Sequence, residues 1–208
     1  IVVNINTILL IVYAFLSILI LKNKYKGILK YVSIYLIFSS LSDVLSRLMS
    51  DYLVPKYLSD TLFTGILYRL GELLLVGFLI NKFWLKIKSF WVLIGLSSLY
   101  LIYELLTYRN SDIFNYLAYA QIAANVILCI MLLINLIKQL NSKKIFSFRN
   151  QIFNMIFLTY FTIHFIYTVI TNFIINQSFS NKSFNLFYSS YVILHILYYF
   201  ALSWILFV

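Results

Sequence analysis

Apolar residues occur in long blocks along this chain, and short polar or basic segments separate one block from the next. The blocks approach the roughly 20 residues that an α-helix needs to cross the hydrocarbon layer of a membrane. We therefore predict an all-α polytopic membrane helix bundle with seven transmembrane helices, forming a single domain over residues 1–208. The predicted spans are Thr7–Leu21, Ile28–Ser50, Thr61–Asn81, Phe90–Thr107, Phe114–Ile137, Ile152–Ile175 and Phe184–Phe207.

The composition agrees with helical spans and argues against a membrane β-barrel. Hydrophobic residues make up 63% of the chain and charged residues 11%, whereas a soluble domain carries about 25% charged residues. A barrel would show alternating strands of about 10 residues, and one Pro and five Gly leave little material for its turns. The single cysteine, Cys129, lies in an apolar run and carries no information about the redox compartment.

Basic residues concentrate in alternate loops, which predicts the orientation of the chain in the membrane. The regions joining spans 1 and 2, spans 3 and 4, and spans 5 and 6 contain no acidic residue. Their basic residues are Lys22, Lys24, Lys26, Lys30, Lys82, Lys86, Lys88, Lys138, Lys143, Lys144 and Arg149. In the remaining loops acids and bases balance. Because basic loops stay in the cytoplasm, we expect a multi-pass protein of the bacterial inner membrane with its N-terminus outside and its C-terminus inside.

Motifs that would indicate other functions do not occur in the sequence. The chain has no Gly-rich phosphate loop, no HExxH and no GxSxG, so we expect no enzyme activity and no cofactor. The predicted span 7 has no lysine that could form a retinal Schiff base. The basic loops are short and lack a stacking motif, so we expect them to contact anionic lipid of the bilayer rather than nucleic acid.

Two pairs of opposite charge lie inside predicted spans. Asp43 and Arg47 are four residues apart in span 2, and Arg69 and Glu72 are three apart in span 3. Both spacings place acid and base on the same face of one helix. Since a lone charge at membrane depth costs at least about 2.5–3.5 kcal/mol, such residues normally face the bundle interior and pair. We predict buried ion pairs here, either as structural contacts between spans or as part of a functional site.

Further polar residues recur in the middle and outer half of the predicted spans. Glu104 has no basic residue within one helical turn and therefore needs a partner from another span, a proton or water. Its depth matches that of Gln121, Asn125 and His195, which predicts an outward-facing cavity above nearly apolar cytoplasmic halves. The cavity candidates are Glu104, Gln121, Asn125, His164 and His195. The two histidines could instead be packing residues, and without a ligand-spacing motif we predict no metal site.

Several stretches resemble a family of small uncharacterised bacterial seven-helix proteins. They are YLIFSSLSDVLSRLM in span 2, LFTGILYRLGELLLVGFLINKFW in span 3, MIFLTYFTIHFIYTVITNF in span 6, and the histidine at position 195. The proline typical of that family before span 6 is absent, and Phe153–Met155 occupy its place. Similar regions occur as membrane input segments beside histidine kinases, so the resemblance implies a sensory role.

The patterns together favour an integral membrane sensor or ligand-binding module. An outward-facing polar cavity would take up an unknown small ligand, and helix shifts would reach a cytoplasmic signalling partner. One alternative is a structural subunit packed against other membrane subunits. Another is a proton- or ion-coupled transporter with Glu72 and Glu104 as carriers, which would require polar residues in the cytoplasmic halves as well. On the sensor hypothesis, Glu104→Gln should abolish the response and leave the fold intact.

Overall fold

The computed structural model describes residues 2–22, 27–52, 62–108, 118–141, 148–176 and 181–207, and almost all of these residues are helical. The helices are α1 (Val2–Lys22), α2 (Ile28–Tyr52), α3 (Leu62–Ile80), α4 (Lys88–Thr107), α5 (Tyr119–Leu140), α6 (Phe148–Asn176) and α7 (Asn181–Phe207). No strand occurs in the described ranges. The prediction of an all-α helix bundle is confirmed.

Six of the helices, α2 to α7, contain stretches long and apolar enough to cross a membrane. Each overlaps one predicted span, although α6 is longer at its start than the predicted Ile152–Ile175. The first predicted span lies within α1, whose crossing of the membrane stays a prediction. Part of the fifth, residues 114–117, lies outside the described residues. The protein is thus a multi-pass membrane bundle.

Helix neighbours follow the chain order, with α3 at the centre. Each helix packs against the next one along the chain, and α3 also packs against α5. The bundle closes because α7 returns to contact α1 and α2. Helices α4 and α7 therefore lie on different sides of α3, which decides which polar side chains can meet.

Large apolar side chains cover much of the outer surface. On α4, for example, Val92, Leu96 and Leu99 are all well exposed. Such a surface is unfavourable in water but suits contact with lipid tails, where the bilayer supplies an apolar solvent. The outside of the bundle therefore agrees with insertion in a bilayer.

The end of α3 is locked to α5 by polar contacts. A π-helical turn, Asn81–Leu85, continues α3 and ends at Lys86, whose φ of 57° is left-handed. The Asn81 side chain donates to the carbonyl of Ile87 and accepts from its N–H, both at 3.0 Å. Lys138 of α5 donates to the carbonyls of residues 84 and 85 at 3.1 and 3.2 Å. These carbonyls are left over where the helix ends, so the ends of α3 and α5 share one side of the bundle.

Helices α2 and α3 approach closely at Gly71. A Cβ atom built on Gly71 would lie 2.7 Å from Cε2 of Phe38 and nearer still to Cζ of that ring. The Phe38 ring in turn stacks on Tyr68, with centroids 5.9 Å apart. Small residues allow such close approach between membrane helices, and here the glycine makes room for an aromatic ring. Close by, the hydroxyls of Ser46 and Thr64 join the same two helices at 3.0 Å.

Candidate functional site

The interior of the bundle contains a buried ion pair. Arg69 and Glu72 lie one turn apart on α3, and the Arg69 Nη1 atom donates to the Glu72 carboxylate. Glu72 has no exposed surface and Arg69 only 2%. The prediction that this acid is buried and paired with Arg69 is confirmed. Two charges at this depth need further hydrogen bonds to offset their loss of hydration, and tyrosines and a histidine supply them.

Tyrosines surround the Glu72 carboxylate. Its Oε1 atom accepts hydrogen bonds from the hydroxyls of Tyr35 at 2.7 Å and Tyr68 at 3.2 Å. Tyr198 donates to Tyr35 at 3.2 Å, and the hydroxyls of Tyr68 and Tyr199 lie 2.6 Å apart. Helices α2, α3 and α7 therefore meet in one hydrogen-bonded network. We call Tyr35, Tyr68, Arg69, Glu72, Tyr198 and Tyr199 the tyrosine network.

Both histidines join the site through ring nitrogens. Arg69 bonds His164 Nε2, so this atom is the acceptor and His164 is neutral, with Nδ1–H directed at the Tyr191 hydroxyl 3.2 Å away. His195 Nδ1 lies 3.0 Å from the Tyr191 carbonyl, which can only accept, so its Nε2 accepts from Tyr160 at 2.9 Å. These tautomers follow from the partners. Neither histidine belongs to a group of metal ligands within the described part of the chain.

A cavity of about 180 Å³ opens between α2, α3 and α7. Its walls include the pair Asp43 and Arg47, which are joined at 3.1 Å, together with His195 and the hydroxyl-bearing Tyr68 and Tyr199. The predicted pairing of Asp43 is confirmed, but its predicted burial is wrong: the side chain is 26% exposed. The reason is that the C-terminal part of α2 lines this opening instead of packing in the interior. We call this space the outer cavity, after the orientation that the basic loops predict.

The five residues predicted to share a cavity lie in four places. His195 lines the outer cavity, and His164 lies beside Arg69. Glu104 Oε2 accepts from the backbone N–H of Ala120 at 2.7 Å, and Gln121 approaches Glu104 Oε1 at 3.5 Å. Asn125 donates to Thr168 of α6 at 3.3 Å. Glu104 and His195 have matching depths along their helices but do not meet, because α4 and α7 lie on different sides of α3.

Glu104 contacts the start of α5, where unpaired amide groups favour a negative charge. Glu104→Gln keeps an acceptor oxygen but removes that charge, so we expect a loss of about 0.3–1 kcal/mol of unfolding free energy. Unfolding of the purified variant in detergent, at low and high salt, measures the change. The loss should shrink at high salt, because added ions screen the helix dipole. A salt-independent loss would contradict this role.

A second polar cluster lies in the other half of the bundle. Asn135 of α5 donates to Asn154 of α6 at 2.8 Å, and Asn154 donates to the Leu132 carbonyl at 3.5 Å. Asn135 and Asn154 are buried, and so is Gln139, one turn further along α5. The prediction of nearly apolar cytoplasmic halves is therefore wrong. The four-residue spacing of Asn135 and Gln139 could have indicated this face of α5. An uncharged amide is a weaker signal than a charge, because it costs less free energy to bury.

A layer of aromatic rings separates this amide cluster from the tyrosine network. Phe157 is fully buried, and its ring centroid lies 6.2 Å from Tyr35, 6.1 Å from Tyr198 and 6.4 Å from Trp84. Along α6, Asn154 precedes Phe157 and His164 follows it, a rise of about 15 Å for ten residues. The interior thus alternates along its length from polar to aromatic to polar.

Comparison with protein-family models, curated proteins and solved structures finds no match to this chain. The resemblance to bacterial seven-helix proteins therefore stays a prediction. The functional argument depends on the outer cavity and the tyrosine network.

Proposed function

We propose that this protein is an integral membrane sensor that binds a small ligand in the outer cavity and signals to a cytoplasmic partner. One observation carries the proposal: Tyr68 and Tyr199 are at once walls of the cavity and members of the tyrosine network around Glu72. A ligand that bonds the Tyr68 hydroxyl competes with its contact to Glu72, and a ligand that bonds the Tyr199 hydroxyl competes with the contact of Tyr199 to Tyr68. The outward orientation of the cavity follows from the distribution of basic loops.

The chemistry of the walls favours a small zwitterion such as a free amino acid. Asp43 can accept from an ammonium group and Arg47 can bind a carboxylate in a two-point contact. The cavity, at about 180 Å³, is smaller than the roughly 300–1,000 Å³ of sites for drug-sized ligands. Hydroxyls of Ser46 and Thr64 and the ring of His195 provide further polar contacts. A ligand of both charges would thus replace the present pairing of Asp43 with Arg47.

The route to the cytoplasmic side would run through packed aromatic rings. A shift of Tyr68 alters its bond to Glu72, and Glu72 also accepts from Tyr35. Tyr35 contacts Phe157, which contacts Trp84 in the π-helical turn at the end of α3. A ligand shifts such an assembly only if it binds one arrangement better than the other. The competition at Tyr68 provides that difference in affinity.

Proton- or ion-coupled transport is the alternative that the amide cluster favours. Asn135 and Asn154 place polar groups in the half of the bundle where a sensor needs none. Phe157 lies between this cluster and the tyrosine network, so transport would require its ring to move aside. The sensor proposal uses the packed ring as it stands, and for that reason we prefer it.

The proposal predicts ligand-dependent stabilisation of the purified protein in detergent. We expect single amino acids to raise the melting temperature, because a ligand at about 100 times its Kd adds about 2.7 kcal/mol to the native state. Simple carboxylates and simple amines, each with one of the two charges, should have smaller effects. The measurement is thermal unfolding across a panel of these compounds and inorganic salts.

Two variants control this measurement. Arg47→Gln should lose the stabilisation by amino acids, because its cavity no longer holds a cation. Lys86→Gln, at an exposed position beyond the end of α3, should keep it. If no compound stabilises the wild-type protein, or if Arg47→Gln responds as fully as the wild type does, the outer cavity is not the binding site.

A further inference from the structure

A second and larger groove lies at the opposite end of the bundle, between the start of α6 and the end of α7. Its volume is about 780 Å³. Side chains of Ile152, Phe200, Ala201 and Trp204 line it, and Arg149 at its rim is the one charged residue among its described walls. We propose that this groove binds an anionic phospholipid of the cytoplasmic leaflet, with an acyl chain in the groove and the phosphate on Arg149.

The rim of the groove suits a phosphate. Arg149 lies in the first turn of α6 and is half-buried. In the part of the chain that the structure describes, it has no carboxylate partner, since the ion pairs there are Asp43–Arg47 and Arg69–Glu72. A guanidinium group binds phosphate through two parallel hydrogen bonds. The preceding loop adds Lys143 and Lys144 in sequence and contains no acid, so the local charge is complementary to an anionic headgroup.

The walls of the groove suit an acyl chain. Phe148 is 76% exposed, Trp204 63% and Phe200 55%, so three aromatic rings border open space. The Phe200 and Trp204 ring centroids lie 6.4 Å apart along α7. Tryptophan side chains gather at the level of the headgroups in membrane proteins, which agrees with Trp204 at this end of the bundle. An acyl chain can follow the irregular surface between these rings and Ile152.

A neighbouring transmembrane helix fits the groove less well than a lipid does. Close helix packing in membranes relies on small residues that let two backbones approach. Among the groove residues only Ala201 is small, and the others are bulky or charged. A helix would also need an anionic group placed at Arg149. A lipid with a charged headgroup supplies the acyl chain and the phosphate in one molecule.

This site is independent of the proposed sensing function. The groove is lined by the first turns of α6 and the last turns of α7, whereas the outer cavity involves α2, α3 and the middle of α7. A lipid in the groove would hold the ends of α6 and α7 together at the membrane surface. Its occupancy can therefore be measured whatever the outcome of the ligand panel.

The test compares phosphatidylglycerol with phosphatidylcholine of identical acyl chains, added to the protein in detergent and measured by native mass spectrometry. We expect the wild-type protein to bind phosphatidylglycerol about fivefold more tightly than phosphatidylcholine. This difference is the contribution of one basic residue near an anionic lipid. Arg149→Gln should bind the two lipids equally. Ala201→Phe should weaken both, because the added ring occupies the groove. Inorganic phosphate at millimolar concentration should not displace the lipid, since it lacks the acyl chain.

Lys86→Gln is the matched control, because it removes one positive charge at the same end of the bundle but outside the groove. Its lipid preference should equal that of the wild type. The proposal is overturned if wild-type protein binds both lipids equally, or if Lys86→Gln loses the preference as Arg149→Gln does. A dimer that Ala201→Phe dissociates while lipid binding is unchanged would instead assign the groove to a second copy of the chain. Circular dichroism checks that each variant keeps its helices.

Discussion

Replacing Glu72 by glutamine is expected to lower the free energy of unfolding by about 3–5 kcal/mol, because it leaves the buried charge of Arg69 without its counter-ion. Arg69 is only 2% exposed, so water cannot solvate its charge in place of the carboxylate. His164, its other partner, is neutral in this arrangement and cannot replace a carboxylate. Unfolding of the purified protein in detergent, followed by circular dichroism, measures the loss.

Two further variants separate the charge from the shape of the side chain. Asp43→Asn removes the same charge from a pair that is about one quarter exposed, so we expect a loss of only about 0–1 kcal/mol. The double variant Glu72→Gln with Arg69→Met removes both buried charges and should recover most of the stability. If Glu72→Gln and Asp43→Asn cost the same, or if the double variant is no more stable than Glu72→Gln, the ion pair does not stabilise the interior in this way.

The second large effect is expected at Gly71. Gly71→Ala introduces a methyl group that overlaps the Phe38 ring, so the ring must leave its stack on Tyr68. We expect a loss of about 1–3 kcal/mol, the usual cost of overpacking, together with a weaker bond between Tyr68 and Glu72. Thermal unfolding in detergent gives the stability, and ultraviolet absorption of the tyrosines reports their changed surroundings.

Gly65→Ala is the matched control, because a Cβ atom at Gly65 of the same helix would meet nothing within 4 Å. That change should be neutral or stabilising by about 0.5–1 kcal/mol, the difference between glycine and alanine in a helix. In a Phe38→Ala background the Gly71→Ala substitution should cost nothing further, since the ring it displaces is gone. Additive losses in the double variant would contradict the proposed contact.

The sequence was sufficient for features that depend on distance along one helix. The length of apolar runs predicted the helices, and the spacing of Arg69 and Glu72 predicted their pairing, because both follow from the regular rise of an α-helix. Spacing within one helix does not show which of its faces contacts which neighbouring helix. Glu104 and His195 match in depth but belong to helices that α3 keeps apart, so their predicted common cavity could not be judged from depth alone.

Contacts between helices could also not be predicted from the sequence where they are made by residue types that occur many times in the chain. Eighteen tyrosines occur in the chain, and nothing in their spacing singles out Tyr35 and Tyr68 as partners of Glu72. The bond between Asn135 and Asn154 joins two helices across 19 residues, and neither asparagine lies in a motif. Aromatic packing around Phe157 likewise arises from four separate parts of the chain.

The outer cavity also has an electrical consequence for the protein in an energised cell. If the cavity opens to the outside, as the basic loops predict, water in it would carry the potential of the outer solution inward as far as Tyr68 and Tyr199. The membrane voltage would then fall mainly across the Phe157 layer and the cytoplasmic half beyond it, a distance shorter than the bilayer. A charge that crosses the full voltage changes its energy by about 2.3 kcal/mol per 100 mV. Arg69 and Glu72 lie at the outer edge of this field. If either charge moved by itself, a given displacement would cross a larger fraction of the voltage than it would in a field spread over the whole bilayer.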